Sequence, residues 1–401
     1  MNTAMSSCHL SRPSLLKRPA IGIAGVRCST HQLAPVARLS LASPSFLAKS
    51  SLPSLRISAA KPAVRPASRV VKVSAASAAG ESVNDTPKVT QFRLILYVVA
   101  WYSANIIFNI ANKKSLTAFP CPWFISTLQL GVSGLFMCFL WLTKLHPTPR
   151  VDNKFFKALL VVAAFHTVGH VAACTSFGQM AVSFAHIVKS AEPVFSVALA
   201  GPILKETYPY YVWLSLVPIV AGCGLSAMKE VSFAWNGFNN AMLSNIGMVL
   251  RNIYSKKALG DYKHIDGINL FGLISIASLL YCAPLAILME GGKWSGAYNG
   301  ALASVGKNEL FKQMAVAGIF YHLYNQFSYM VLNQGVSPVT FSVGNTMKRV
   351  AVVVSSVLFF KNPVAALNWI GSGVAIFGTF LYSLAKDKAA NEEKSARAAT
   401  A

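Results

Sequence analysis

Acidic residues are scarce in this chain: 13 of its 401 residues are Asp or Glu, and none precedes Glu81. Charged residues of either sign make up only 12%, against about 25% in an ordinary soluble domain, while hydrophobic residues make up 54%. That balance excludes a typical soluble domain and points to a membrane protein. The seven cysteines show no CxxC spacing, and the last five lie in or beside apolar runs, so free, packed thiols are expected. No HExxH or comparable pattern is present, and no metal site is expected. Neither a GxxxxGK[ST] loop nor a strand-anchored GxGxxG occurs, so the chain has no visible means of hydrolysing ATP. The net charge of +23 lacks a basic stripe with interleaved aromatics, which argues against nucleic acid.

The basic excess is concentrated at the start. Residues 1–80 hold 11 Lys and Arg and no acid, are rich in Ser, Ala, Arg and Pro, and end near VVKVSAASAAG. This is the composition of an organelle transit peptide, chloroplast rather than mitochondrial because Ser dominates and a strong amphipathic Arg helix is absent. A secretory signal is disfavoured, since no apolar core of sufficient length follows the first methionine.

From residue 92 onward, apolar stretches recur at lengths near the roughly 30 Å needed to cross a bilayer. Ten are expected, over residues 92–111, 123–143, 156–180, 183–204, 209–228, 236–255, 268–289, 312–333, 338–360 and 365–385. An internal repeat accompanies them. FNIANKKSL (108–116) matches RNIYSKKAL (251–259) at five of nine positions, and AVS (181–183) aligned on GVS (335–337) places His170 on Tyr324. With five further residues inserted, Lys189 falls on Lys348. The fold class expected is therefore all-α: ten transmembrane helices in two inverted five-helix repeats. The halves cover residues 90–230 and 236–385, and a polar tail covers 386–401. An odd number of helices per half inverts the second, and such folds place substrate near the midplane between the halves.

Charges inside those spans mark the candidate site. Lys348 and Arg349 stand side by side in FSVGNTMKRVAVVVSSVLFF, and Lys189 lies within SFAHIVKSAEPVFSVALAGPIL. Each costs roughly 2.5–3.5 kcal/mol at the bilayer centre on insertion scales, so the trio is a site hypothesis, with phosphate the obvious multivalent anion. Arg offers phosphate a bidentate fork and Lys a compact point charge. Glu192 and His186 lie three residues either side of Lys189, on one helical face if the helix is continuous. A structural Lys189–Glu192 ion pair is the plain alternative, and it would leave Lys348 and Arg349 without acids. A bound dianion would supply their counter-charge, with Glu192 as the intrinsic one. His170 and Tyr324 stand out as repeat mates, each one helix before a cation-bearing span, suited to donate to a sugar hydroxyl or phosphate. Arg251 lies near a helix end, where snorkelling to the interface is the plain reading. Lys113, Lys114, Lys256 and Lys257 are expected as interfacial anchors.

The blocks HTVGHVAACTSFGQMAVSFAHIVKSAEPVFSV and YHLYNQFSYMVLNQGVSPVTFSVGNTMKRV resemble the plastid phosphate translocators, a resemblance running from about residue 90 to 385. It implies the drug/metabolite transporter fold, residence in the plastid inner envelope, and exchange of phosphorylated carbon compounds for inorganic phosphate. It places the phosphate-binding cations on Lys189, Lys348 and Arg349, and other substrate contacts on His170, Tyr324 and Arg251. KSAEPVFSV, KHIDGINLFGLISIASLLY and SVGNTMKRV look most like the pentose-phosphate and glucose 6-phosphate branches. Ala173 departs from the triose-phosphate type, which has Thr there, so a hydroxyl contact is missing and a wider pocket is expected. YMVLNQGVSP also departs from the LDEISP form. The function expected is antiport, not enzymatic: a sugar phosphate, with triose phosphate and 3-phosphoglycerate as minimal cargo and pentose or hexose phosphate as further candidates, against phosphate. The rivals are a nucleotide-sugar transporter on the same fold and a membrane phosphotransferase, which lacks a nucleophile beside the cations. The expected partners are these small anions and membrane lipid, with a homodimer as the candidate assembly and no cofactor.

Overall fold

The computed structural model describes residues 88–400 apart from 261, 263, 335, 337 and 362. The transit peptide expected over residues 1–80 lies outside the described residues. Twelve helices make up the described chain, and no strand occurs among the described residues: α1 Lys88–Ala118, α2 Pro122–Leu142, α3 Asn153–Gln179, α4 Val182–Lys189, α5 Glu192–Leu204, α6 Tyr210–Leu214, α7 Val217–Met228, α8 Trp235–Leu259, α9 Gly267–Val305, α10 Lys307–Leu332, α11 Pro338–Phe360 and α12 Ala366–Thr400.

Local chemistry sets the ends of these helices. Asp152 and Asp266 cap α3 and α9, their carboxylates accepting from Phe155 N at 2.8 Å and Asn269 N at 2.7 Å. α2 begins at Pro122 without a capping side chain of its own; Glu290, far along α9, accepts from Phe124 N at 3.1 Å and puts a carboxylate at the positive end of the helix. Lys113 is not the interfacial anchor expected. Its ammonium donates to the carbonyls of Phe177, Gly178 and Met180 at 2.8, 3.2 and 3.0 Å, tying α1 to the end of α3 where unpaired carbonyls accumulate.

The expected single span at 183–204 is broken at Ser190–Ala191, where the α4 ladder closes with the Ser190 amide on His186 O and Ile187 O. Pro193, which brings no N–H, stands in the first turn of α5, so the ladder cannot run through it. Pro218 stands equally early in α7 after the break behind α6. Two helices also run past the expected spans. α9 continues from the expected end at 289 to Val305, and the expected polar tail at 386–401 is the helical continuation of α12 as far as Thr400.

Eight helical stretches of the described residues are long and apolar enough to cross a membrane, with α4–α5 and α6–α7 each forming one of them. Helix covers all ten expected spans, but α8 and α10 fall short in hydropathy because they carry Asn245, Arg251 and Asn252, or His322, Asn325 and Gln326. The bundle has its polarity inside out. Asn112, Gln129, Asn245 and His322 are fully buried, while Leu135, Leu142 and Leu288 are more than 70% exposed. Such an apolar flank suits lipid, and each of these four buried side chains finds at least one partner within the bundle.

The main contacts are α3 on α8, α1 on α10, α2 on α9 and α7 on α12. Between α7 and α12 the backbones nearly touch at Gly222, where an added Cβ would lie 2.3 Å from Ala375 N and 2.6 Å from Gly371 O. Neither backbone atom can yield without moving a helix. Gly222→Ala should therefore destabilise the protein by about 1–3 kcal/mol, lowering the melting temperature of detergent-solubilised protein; an unchanged melting curve would show that the helices separate freely there.

Candidate functional site

Six helices bring the charged and aromatic candidates together. Lys189 closes α4 and Glu192 opens α5, with Ser190 and Ala191 between them still in the right-handed helical region. Even so, the direct Lys189–Glu192 pair is not formed. Glu192 Oε2 instead accepts from Arg349 Nη2 of α11 at 2.8 Å, so Arg349 does have an acid, contrary to expectation. Lys189 turns to α8, its Nζ donating to Ser244 Oγ at 2.7 Å, and feels Glu192 and Arg349 only through the shared field.

Lys348 has no carboxylate contact among the described residues. Its Nζ donates to Asn345 Oδ1 at 3.1 Å and lies 5.0 Å from the centre of the Trp101 ring, which itself stacks on Phe341 at 5.2 Å. The ring face offers a cation some stabilisation without neutralising it. Arg349 is only half served: its Nη1 is buried and finds no hydrogen-bond partner among the described residues. The Nε2 of His170 is in the same condition, and His170 sits in the field of Lys189 and Arg251. Other buried polar atoms among the described residues also lack partners, Asn112 Nδ2 and Asn245 Oδ1 among them, but these two belong to groups gathered around one lysine.

Behind His170 lies a relay of rings. Arg251 does not snorkel; its Nη1 points inward to His166 Nδ1 at 3.2 Å, while Nε and Nη2 hold Asn252 Oδ1 at 3.1 and 2.8 Å. A guanidinium can only donate, so His166 Nδ1 must accept, and its Nε2–H donates to the Tyr321 hydroxyl oxygen at 3.1 Å. His170 stacks on His166 at 5.8 Å and packs against Tyr321 at 4.6 Å. Tyr324 meets Tyr321 edge-on at 5.9 Å and Phe108 at 5.0 Å. The repeat mates His170 and Tyr324 are thus joined through Tyr321, with Arg251 one residue further away. Ala173 follows His170 by one turn and is buried in an apolar cluster with Cys174, Phe177 and Phe184.

Sequence reasoning missed Ser244, Asn345 and Trp101, which hold the lysines, and Asn109, whose Oδ1 meets His186 Nε2 at 2.8 Å. Asn109 and Asn252 were visible as identities of the internal repeat, with no hint of what they hold. Within the assembly, Lys189, Lys348 and Arg349 bring three positive charges against the single carboxylate of Glu192, and Arg251 adds a fourth nearby. A tetrahedral dianion offers what this arrangement lacks: negative charge, and acceptors in several directions at once.

Residues 92–383 match the Triose-phosphate Transporter family. The chain belongs to this family. Among its relatives, the chloroplastic xylulose 5-phosphate/phosphate translocator of Arabidopsis thaliana is 53% identical over 310 residues, 77% of this chain and 74% of the relative. Glucose-6-phosphate/phosphate translocator 1 of the same plant is 47% identical over 311 residues, covering 77% of this chain and 79% of the relative. The triose phosphate/phosphate translocator of Flaveria pringlei is 39% identical over 342 residues, covering 84% and 83%. The order agrees with the motif-level likeness to the pentose-phosphate and glucose 6-phosphate branches. As a member of the Triose-phosphate Transporter family the chain is a transporter, not an enzyme.

Proposed function

We propose that the protein is a plastid inner-envelope antiporter that exchanges a phosphorylated sugar for inorganic phosphate by alternating access. The observation that carries this reading is the cluster of Lys189, Lys348 and Arg349 around one carboxylate, with Arg349 Nη1 unbonded. Relatives named as chloroplastic phosphate translocators for xylulose 5-phosphate, glucose 6-phosphate and triose phosphate share the need to bind a phosphoryl group. The chloroplast-type leader read over residues 1–80 agrees with the location in those names. Lys189, Lys348 and Arg349 hold the phosphoryl oxygens in this reading, His170, Tyr324 and Arg251 meet the rest of the cargo, and Glu192 balances the empty site.

Ten crossings in two inverted halves are part of the proposal, with α4–α5 matched to α11 and α6–α7 to α12. Two features support it. Exchanging α1 with α8, α2 with α9 and α3 with α10 turns the α3–α8 contact into α10–α1 and the α3–α9 contact into α10–α2, both of which occur. The positive-φ residues among those described also fall in pairs: Lys144 and Gly306 after α2 and α9, and Lys205 and Lys361 after α5 and α11.

The test is uptake of labelled phosphate into proteoliposomes loaded with three-, five- or six-carbon sugar phosphates. Internal xylulose 5-phosphate should drive uptake well above protein-free vesicles; failure of all three classes would refute the reading. The same assay addresses Ala173. Ala173→Thr adds a hydroxyl and bulk one turn from His170, and one hydrogen bond is worth about 0.5–1.5 kcal/mol, so preference should shift a few-fold toward three-carbon cargo. An unchanged ratio of triose to hexose phosphate in competition would remove residue 173 from the selectivity account.

A further inference from the structure

Beyond the cation cluster, a narrow cleft of about 140 Å³ runs between α5 and α8. Glu192 lines one end, and Ser196 and Asn252 lie along it. At the other end stands Glu206, just past the left-handed Lys205 that terminates α5. From Glu192 to Leu204 the helix rises about 18 Å, which sets the distance between the two ends. Both oxygens of Glu206 are taken: Oε1 by the Lys256 ammonium and Oε2 by the Tyr208 hydroxyl at 2.5 Å. Lys256 is therefore no simple interfacial anchor. Lys386 of α12 lines the same end and adds its field to Glu206. Burial pushes the Glu206 carboxyl up, but the hydrogen bonds from Lys256 and Tyr208 outweigh it and hold the group below its ordinary value, so it is ionised at neutral pH.

The cleft thus has two lysines and one acid at its mouth and leads to the acid that faces Arg349. Between them Asn252 lines the wall, its Oδ1 held by Arg251, which does not itself line the cleft. The Lys256–Glu206 pair is partly open to solvent, with side chains 39% and 30% exposed. Pairs of this kind are weak. A phosphate dianion carries more charge than the carboxylate and could take its place on Lys256 while also meeting Lys386.

We propose that Lys256 and Lys386 form a second, transient anion site for the phosphoryl group of either cargo, and that Glu206 is the internal anion occupying Lys256 when the cleft is empty. The proposal rests on the antiport reading. It makes Glu206 a competitor of the cargo on one face of the membrane, so removing the acid and removing the lysine have opposite effects, both confined to that face.

The experiment measures KM for inorganic phosphate on each face of proteoliposomes of known protein orientation, for wild type, Glu206→Gln, Lys256→Gln and Lys386→Gln. Glu206→Gln should lower KM by about threefold on one face and leave the other unchanged, whereas Lys256→Gln and Lys386→Gln should raise it by about threefold on that same face, all shrinking as salt increases. Tyr208→Phe keeps the charge, loosens Glu206, and should move KM in the direction of Glu206→Gln; it serves if the charge variants fold poorly. Shifts of one sign for Glu206→Gln and Lys256→Gln, shifts equal on both faces, or no shift would overturn the second site. Wild-type exchange in the same vesicles separates the two claims: its absence refutes antiport, and its presence with variants unlike those expected refutes only the second site.

Discussion

Replacing Lys189, Lys348 or Arg349 singly by Ala should abolish phosphate exchange in a protein that still folds and incorporates into vesicles. With cargo bound the contact is shut off from water, and removing one partner from such a contact typically costs about 3–5 kcal/mol, or roughly two to four orders of magnitude in binding. The three variants should differ in stability. Arg349→Ala strands Glu192, whose carboxylate loses its 2.8 Å contact, so it should lower the melting temperature most. Lys189→Ala leaves only the Ser244 hydroxyl without its donor, and Lys348→Ala only Asn345 and the Trp101 ring face. Lys348→Arg should also transport poorly, because a broad planar fork does not fill the place of a compact ammonium above an indole. Exchange rates in proteoliposomes, normalised to incorporated protein, check all four variants. Substantial exchange by any of the Ala variants would remove that residue from the phosphate site.

Transport should also be obligate exchange, with negligible net movement of phosphate into an empty compartment. With both lysines protonated, the proposed site sets Lys189, Lys348 and Arg349 against Glu192, leaving about two net positives when no cargo is bound, and Arg251 nearby does not help. Closing both sides over that charge removes it from water, at a cost of several kcal/mol per ion even after relaxation. Since each 1.4 kcal/mol is about a factor of ten in population, the unloaded return should be slower by several orders of magnitude. A phosphate dianion cancels the excess, as does a sugar-phosphate dianion. Comparable initial uptake with and without internal phosphate would sink this mechanism. Glu192→Gln sharpens the test: it removes the remaining counter-charge and frees Arg349, so the empty transition should become rarer still. A new leak in that variant would give Glu192 a different role.

Much of the candidate cluster was legible in the sequence because charge inside an apolar run is conspicuous. Lys189, Lys348 and Arg349 could be read from hydropathy alone, and the internal repeat singled out His170 and Tyr324 among many aromatic and histidine side chains. What escaped depends on tertiary geometry. Glu192 takes its partner from α11 rather than from Lys189 on its own span, and no spacing along residues 182–204 announces that choice. Trp101 and Ser244 reach the lysines from α1 and α8, and nothing local to those residues announces it. The reach of α9 and α12 was underestimated for another reason: hydropathy falls where a helix leaves the apolar layer, but the helix itself runs on until something stops it. For α9 that is Gly306 at φ +78°.

The claim at the centre of this account is that one place, formed by Lys189, Lys348 and Arg349, receives the phosphoryl group of either cargo. Equilibrium competition between inorganic phosphate and xylulose 5-phosphate on the purified protein tests it most directly. The account predicts that each displaces the other completely, that unphosphorylated xylulose displaces neither, and that Lys348→Ala loses both ligands together. Simultaneous binding of the two anions, or xylulose 5-phosphate binding that survives in Lys348→Ala, would contradict it.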